Sequence, residues 1–156
     1  MFQRALQIIL FHEGGYVKDL HDPGGETNMG ICKREFPDLD IKNLTITEVS
    51  DIYFKKYWTP CRCDRLPDPL ALIVFDCAVN QGVQTAIKML QMVIGVRGDG
   101  VIGTRTLSAV AKWDVKALVN AFTAARILRY TETRNWDTYK KGWIRRVVDV
   151  HQKCFE

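Results

Sequence analysis

No apolar run in this 156-residue chain approaches the ~20 residues that a membrane-spanning helix requires, so a bilayer-embedded protein is not expected. Proline is scarce, at five residues, and no Pro-, Gly- or Ser-rich linker, internal repeat or low-complexity tract interrupts the sequence. A string of small modules is therefore excluded as well. The five cysteines (Cys32, Cys61, Cys63, Cys77, Cys154) are odd in number and irregular in spacing, which rules out a complete disulfide framework. Cys61 and Cys63 are too close for the C-x-x-C of a zinc ribbon or redox motif, and the thiols read as small apolar core residues. Excess charge of one sign is lacking too: 22 Lys and Arg against 18 Asp and Glu leave +4. Such a balance draws only weakly on an anionic partner, and nucleic acid, an acidic membrane face or an anionic wall would all serve. The first residues, Met1 to Ala5 and then Leu6 to Phe11, carry no basic n-region and no small-residue cleavage site, so no signal peptide is expected.

What is present is ordinary globular composition, 47% hydrophobic and 26% charged. A chain of this length buries roughly 70% of its unfolded surface and needs no metal or disulfide to fold. The periodicity predicts six or seven helices and one small N-terminal β-hairpin, all in a single domain over 1–156. The first helix spans about Gln3 to His12, with Phe2, Leu6, Ile8 and Ile9 inward and Gly14-Gly15 ending it. A turn-rich stretch from Tyr16 to Ile31 suits the irregular hairpin. Thr45 and Glu48 have capping-box spacing, after which Ile46, Val49, Ile52, Tyr53 and Tyr57 share a face. Leu70 to Val79 (LALIVFDCAV) is apolar all round apart from Asp76, which predicts a buried central helix. Gln84 to Ile94 is amphipathic, with Gly95 as its C-terminal stop. A short helix should carry Leu107, Val110 and Ala111. Asp114 should cap a long helix with Leu118, Phe122 and Leu128 inward, and a last helix should run from Trp143 toward Cys154.

The chemistry concentrates in H-E-G-G-Y-x5-D-P-G-G-E-T-N-M-G-I, residues 12–31. Glu13 stands at the end of an apolar helix beside two glycines, and a carboxyl at an apolar edge is expected to resist ionising, as a general acid should. Asp22 lies nine positions on, in a loop that can fold it back, and Thr27 and Asn28 add a hydroxyl and an amide. One protonated and one ionised carboxyl across a cleft are what glycosidic-bond hydrolysis needs. A zinc helix is the competing reading of His12-Glu13, but H-E-x-x-H would need histidine where Tyr16 stands, and the glycines would break the helix. A looser set of His12, Glu13, His21 and Asp22 remains the metal alternative; no metal or cofactor is expected. Asp76, inside an apolar helix, calls for a buried arginine partner, with Arg126 and Arg145 as candidates. The pairs Lys140-Lys141 and Arg145-Arg146 read as a solvated basic face.

E-G-G-Y followed by D-P-G-G-x-T-N-x-G-I resembles the signature of glycosyl hydrolase family 108, whose members include phage and prophage endolysins and related muramidases. The resemblance continues through Tyr53–Trp58 (YFKKYW), Phe75–Gly82 (FDCAVNQG) and Leu90-Gln91, and ends near Gly142-Trp143. The stretch Asp99 to Leu107 is similar to the D-G-x-x-G-x-x-T core of peptidoglycan-binding modules. The resemblance implies a mostly helical, lysozyme-like fold, with catalytic residues in 12–31 and a peptidoglycan-binding-like segment, about 84–145, integral to it. It implies Glu13 as the acid that cuts the β-1,4 bond between N-acetylmuramic acid and N-acetylglucosamine, with Asp22 and Thr27 as its partners. Phage-type lysozymes follow E-x8-[D/C]-x5-T; Glu13 and Asp22 keep the first spacing, while Thr27 arrives one residue early.

Substrate contacts are expected from Asn80 and Gln81 at the exit of the buried helix, from Tyr16 and Asn28, and from Tyr57 as a stacking ring. The partner is peptidoglycan glycan strands, with no nucleic acid and no stable membrane association, and the chain is expected to be a monomer. A phage endolysin of this kind would accumulate in the host cytoplasm and reach the periplasm through holin pores. The rivals are a lytic transglycosylase, which also uses one Glu, and a wall-binding module without catalysis. A helix-turn-helix over Gly30 to Trp58 is disfavoured because Thr47-Glu48 and Asp51 would meet phosphate at the second helix's N-terminus.

Overall fold

The computed structural model describes residues 1–18 and 25–156, and these divide into two compact units, residues 2–56 and residues 57–156. Among the described residues there are seven α-helices and one three-stranded antiparallel sheet. The class is mostly helical, as the periodicity implies, and no helix is long and apolar enough to cross a membrane.

In residues 2–56, α1 (Phe2–Glu13) buries Ala5, Leu6 and Ile9 and stops where Gly14 takes a φ of +74°, the left-handed conformation that ends helices. Strands β1 (Val17–Lys18), β2 (Glu26–Asn28) and β3 (Ile31–Cys32) then form a meander in the order β1-β2-β3. Thr27 stands opposite Val17 on one side and Cys32 on the other. A single hairpin is the simpler expectation; the third strand arises because Met29-Gly30 is itself a two-residue turn. Both residues have positive φ, 48° and 75°, as a tight turn matched to strand twist demands. Helix α2 (Ile46–Tyr53) opens on the expected capping box: Thr45 Oγ1 accepts from the Glu48 amide at 3.3 Å, and the Glu48 carboxylate accepts from the Thr45 amide at 2.8 Å. Between β3 and α2 the described chain makes turns and no helix, so the helix-turn-helix alternative lacks its first helix.

A π-helical turn (Phe54–Trp58) continues from α2. Its extra residue per turn shifts the inward side chain by one position. The inward ring is therefore Trp58, 4% exposed and edge-on to Phe75 at 5.2 Å, and Tyr57 is only half-buried. An unbroken α-period would place Tyr57 there.

In residues 57–156 the centre is α3 (Asp68–Gln81), buried without a break from Leu70 to Ala78. Around it pack α4 (Val83–Val93), α6 (Val115–Thr131) and α7 (Trp136–Lys153), with the short α5 (Thr104–Val110) between α4 and α6 in sequence. Asp114 caps α6 as expected, accepting from the Ala117 amide at 2.8 Å. Leu118 and Phe122 face inward, but Leu128 is 64% exposed. The long helix instead buries Val119, Arg126 and Tyr130, because its core face must present a cation to Asp76.

Asp76 has no exposed side-chain surface. Its Oδ2 lies 2.6 Å from Arg126 Nη1, and its Oδ1 accepts from Arg146 Nε at 2.9 Å, with Arg146 Nη2 at 2.8 Å. Arg126 is the expected partner; the second is Arg146, not Arg145, which is exposed. One residue along α7 turns the side chain by about 100°, which separates the core arginine from the solvated one. Burial alone pushes the Asp76 carboxyl up, but the Arg126 and Arg146 charges overcome it and hold it below the ordinary carboxylate range.

The D-G-x-x-G-x-x-T stretch is organised by a residue outside it. Gln91 of α4 is 1% exposed; its Nε2 donates to Asp99 Oδ1 at 2.7 Å, Val101 O at 3.0 Å and Thr106 Oγ1 at 3.2 Å. Its Oε1 accepts from the Gly100 amide at 2.9 Å. Gly100 has φ +76°, and a Cβ there would strike the Gln84 side chain. In this chain the motif is a loop and the first turn of α5, both clasped to α4.

Asp76→Asn should lower the unfolding free energy by about 3–5 kcal/mol, since two buried guanidinium groups lose their anion. The sign of the pH dependence follows from the depressed carboxyl: its stabilisation is complete above the unfolded value near 4 and disappears as pH falls through the lower folded value. Urea unfolding of both proteins should give a difference that is constant from pH 7 to about 5 and shrinks below about 4.

Candidate active site

Glu13 is the last residue of α1, half-buried, immediately before the positive-φ Gly14. Its carboxyl lies over the β2–β3 turn: a Cβ built on Gly30 would be 3.0 Å from Glu13 Oε2 and 3.3 Å from its Cγ, and would collide with the Tyr53 hydroxyl. Tyr53, 1% exposed, donates that hydroxyl to Met29 O at 3.0 Å. A helix end, a hairpin turn and a tyrosine from α2 thus converge on one glycine. The absent side chain at Gly30 is what lets the Glu13 carboxyl approach the turn.

Thr27, the middle residue of β2, is half-buried. Asn28 is 8% exposed, and its Nδ2 donates to Ile41 O at 3.0 Å and Lys42 O at 3.4 Å. The Asn28 amide nitrogen therefore ties residues 41–42 to β2. Tyr16 is 38% exposed; partial desolvation and then the neighbouring Glu26 carboxylate raise its phenol above the ordinary value. Glu26 also pairs with Lys18 at 3.2 Å across β1 and β2. Asp22 lies outside the described residues, as does His21 of the metal alternative.

In the other unit, Asn80 and Gln81 line a pocket of about 240 Å³ with Arg129, Tyr130, Thr133 and Trp143. Hydrogen bonding fixes how the Asn80 amide faces. Arg126 Nε donates to the Tyr130 oxygen at 3.1 Å, so the Tyr130 proton goes to Asn80, 2.5 Å away, which must present Oδ1. Gln81 Oε1 accepts weakly from Cys77 Sγ at 3.7 Å. Neither amide NH2 group has a hydrogen-bond partner among the described residues. Tyr130 stacks on Trp143, centroids 4.9 Å apart at 21°, and Tyr139 follows at 5.7 Å. Amide donors beside stacked rings suit an N-acetylated sugar, whose carbonyl accepts and whose ring faces are apolar.

Asn80 and Gln81 are the sequence candidates that share a pocket; Tyr57 does not line it. Tyr130 and Trp143 are pocket walls that periodicity alone does not single out, because at helical spacing an aromatic reads as core. Gly30 and Tyr53 lie inside the recognised stretches, yet their joint action on Glu13 needs the third dimension.

The model of the family described as Glycosyl hydrolase 108 matches residues 6–82, and that of the Predicted Peptidoglycan domain matches residues 85–148. The boundary between the two matches falls at the α3–α4 junction, inside the compact unit 57–156, where α3 and α4 pack together. Among solved structures the chain is similar to SagA of Brucella abortus, with 37% identity and a TM-score of 0.88, over 98% of this chain and 92% of that one. The mostly helical, lysozyme-like fold is shared with that protein. No curated protein matches.

Gly25 and Gly30 both have φ above +70°, but the nearest atom to a Cβ at Gly25 is Lys33 Cβ at 4.0 Å, whereas Gly30 is crowded. Left-handed strain alone costs about 1 kcal/mol or somewhat more in each alanine variant. Gly30→Ala should cost about 1–3 kcal/mol beyond Gly25→Ala in urea unfolding. Equal losses would show that Glu13 and Tyr53 do not need the space.

Proposed function

The chain belongs to the glycosyl hydrolase 108 family and carries a peptidoglycan-binding segment, and from that premise we propose that it is a muramidase with Glu13 as general acid. The bond cut is the β-1,4 link from C1 of N-acetylmuramic acid to O4 of N-acetylglucosamine. Glu13 gives its proton to the bridging oxygen as the C1–O bond breaks, and positive charge grows on C1 and the ring oxygen. Water adds at C1 and loses a proton to the Asp22 carboxylate, with the Thr27 hydroxyl orienting it, and a muramic acid reducing end results.

The observation that carries this reading is the seat of Glu13, at a helix end and held over the crowded Gly30 turn. A general acid must keep its carboxyl within hydrogen-bond reach of the leaving oxygen, so a carboxyl packed against the Gly30 turn favours that role. Asn80 and Gln81 present amide donors in a pocket with an aromatic wall, as recognition of the acetamido groups of this glycan requires. Asn28 contributes by fixing β2 beside Thr27.

Glu13→Gln keeps the shape and removes the proton. Digestion of purified peptidoglycan, followed by release of reducing ends, should fall by about 10²–10⁴-fold, the usual contribution of a positioned acid. Sedimentation with insoluble peptidoglycan should remain at the wild-type level. Full turnover in Glu13→Gln would remove Glu13 from the mechanism. No turnover by the wild type, with sedimentation intact, would leave a wall-binding protein.

A further inference from the structure

A second concavity in the 57–156 unit is not used by the sugar chemistry. It is an open groove of about 570 Å³ between α4 and α6. Its floor and rims are apolar through Met89, Met92 and Leu128, and Met92 and Leu128 are each 64% exposed. Lys88 stands on the α4 side, with Arg129 and Glu132 at the C-terminal end of α6. None of these three charges enters an ion pair among the described residues, whereas Arg126, less than one turn back along α6, is paired with Asp76 of α3. Arg129 also lines the pocket of Asn80 and Gln81, so the two concavities meet at its side chain.

We propose that the α4–α6 groove is the subsite for the stem peptide of peptidoglycan, with Lys88 and Arg129 holding its carboxylates and Glu132 a free ammonium group. Charge and shape point to this occupant. A stem peptide is short, carries carboxylates and an amino group on an otherwise small apolar backbone, and hangs from the lactyl group of a sugar. A sugar held by the Asn80 and Gln81 amides would direct such a peptide past Arg129 into the groove. Both rims of the groove, from Thr85 to Glu132, lie within the stretch matched by the peptidoglycan domain model. Flexible methionines suit a peptide whose residues vary. The inference rests on the muramidase reading for its substrate, but it assigns a different part of that substrate to a different set of residues.

The test uses the full-length Glu13→Gln chain, so that nothing is digested during the measurement. Soluble glycan oligomers are prepared with stem peptides intact or removed by an amidase, and titrated calorimetrically at low and at physiological salt. Intact oligomers should bind about tenfold more tightly than stripped ones, and Lys88→Glu should abolish that advantage while binding stripped glycan as before. Arg129→Ala should weaken both ligands, because its side chain serves both concavities. Melting temperatures of the two variants should match the parent, since both side chains are exposed. Equal affinity for intact and stripped glycan, or a Lys88→Glu effect on both alike, would overturn the peptide subsite. Neither result bears on whether Glu13 cuts the glycan, which the wild-type digest reads separately.

Discussion

A carboxylate with no access to water, Asp76, lies within the otherwise apolar stretch Leu70–Ala78 of α3, and two arginines from two other helices meet it there. The arrangement is costly to assemble and more costly to break, because any one of the three charges left alone would be buried without a counter-ion. Its consequence is geometric. Helices α3, α6 and α7 each contribute one charged atom group, so their rotation and register are specified more tightly than apolar packing alone would specify them. Arg126 then reaches past Asp76 to the Tyr130 oxygen, and Tyr130 orients Asn80. The polar thread starting in the core therefore ends as an oriented amide on a pocket wall.

The 2–56 unit solves a comparable problem without buried charge. There a glycine, not an ion pair, brings distant elements together: Gly30 admits both the Glu13 carboxyl and the Tyr53 hydroxyl at a turn that also requires its positive φ. The same residue serves backbone conformation and close approach, so no side chain can replace it cheaply. The two sites thus differ in kind. One seats a single acid against a turn, and the other sets amides beside stacked rings.

Much of this was legible in the chain before any coordinates. The capping box at Thr45 and Glu48, the buried helix around Asp76, the Asp114 cap and the demand for an arginine partner all follow from spacing and from the cost of a lone buried charge. What escaped has identifiable causes. Trp58 takes the inward place expected of Tyr57 because a π-turn adds a residue that no helical period anticipates. Arg146 takes the place of Arg145 because neighbours on a helix face different ways and a basic pair does not say which one turns inward. Leu128 faces solvent because α6 gives its core face to Arg126 and Tyr130. The third strand is implicit in Met29-Gly30, yet methionine is a rare occupant of a left-handed position and conceals the turn. Gln91 is hidden for a different reason: its partners come from a loop and the start of α5, eight to fifteen residues away.

The central claim is chemical, that water adds to C1 of N-acetylmuramic acid after Glu13 protonates the leaving oxygen. It is tested most directly by digesting peptidoglycan in water enriched in oxygen-18 and reading the fragments by mass spectrometry. One heavy oxygen at the reducing end of each muramic acid, and none at N-acetylglucosamine, is the predicted result. Unlabelled anhydromuramic ends would make the reaction an intramolecular cyclisation, and label on N-acetylglucosamine would move the cut to the other glycosidic bond; either would contradict the account.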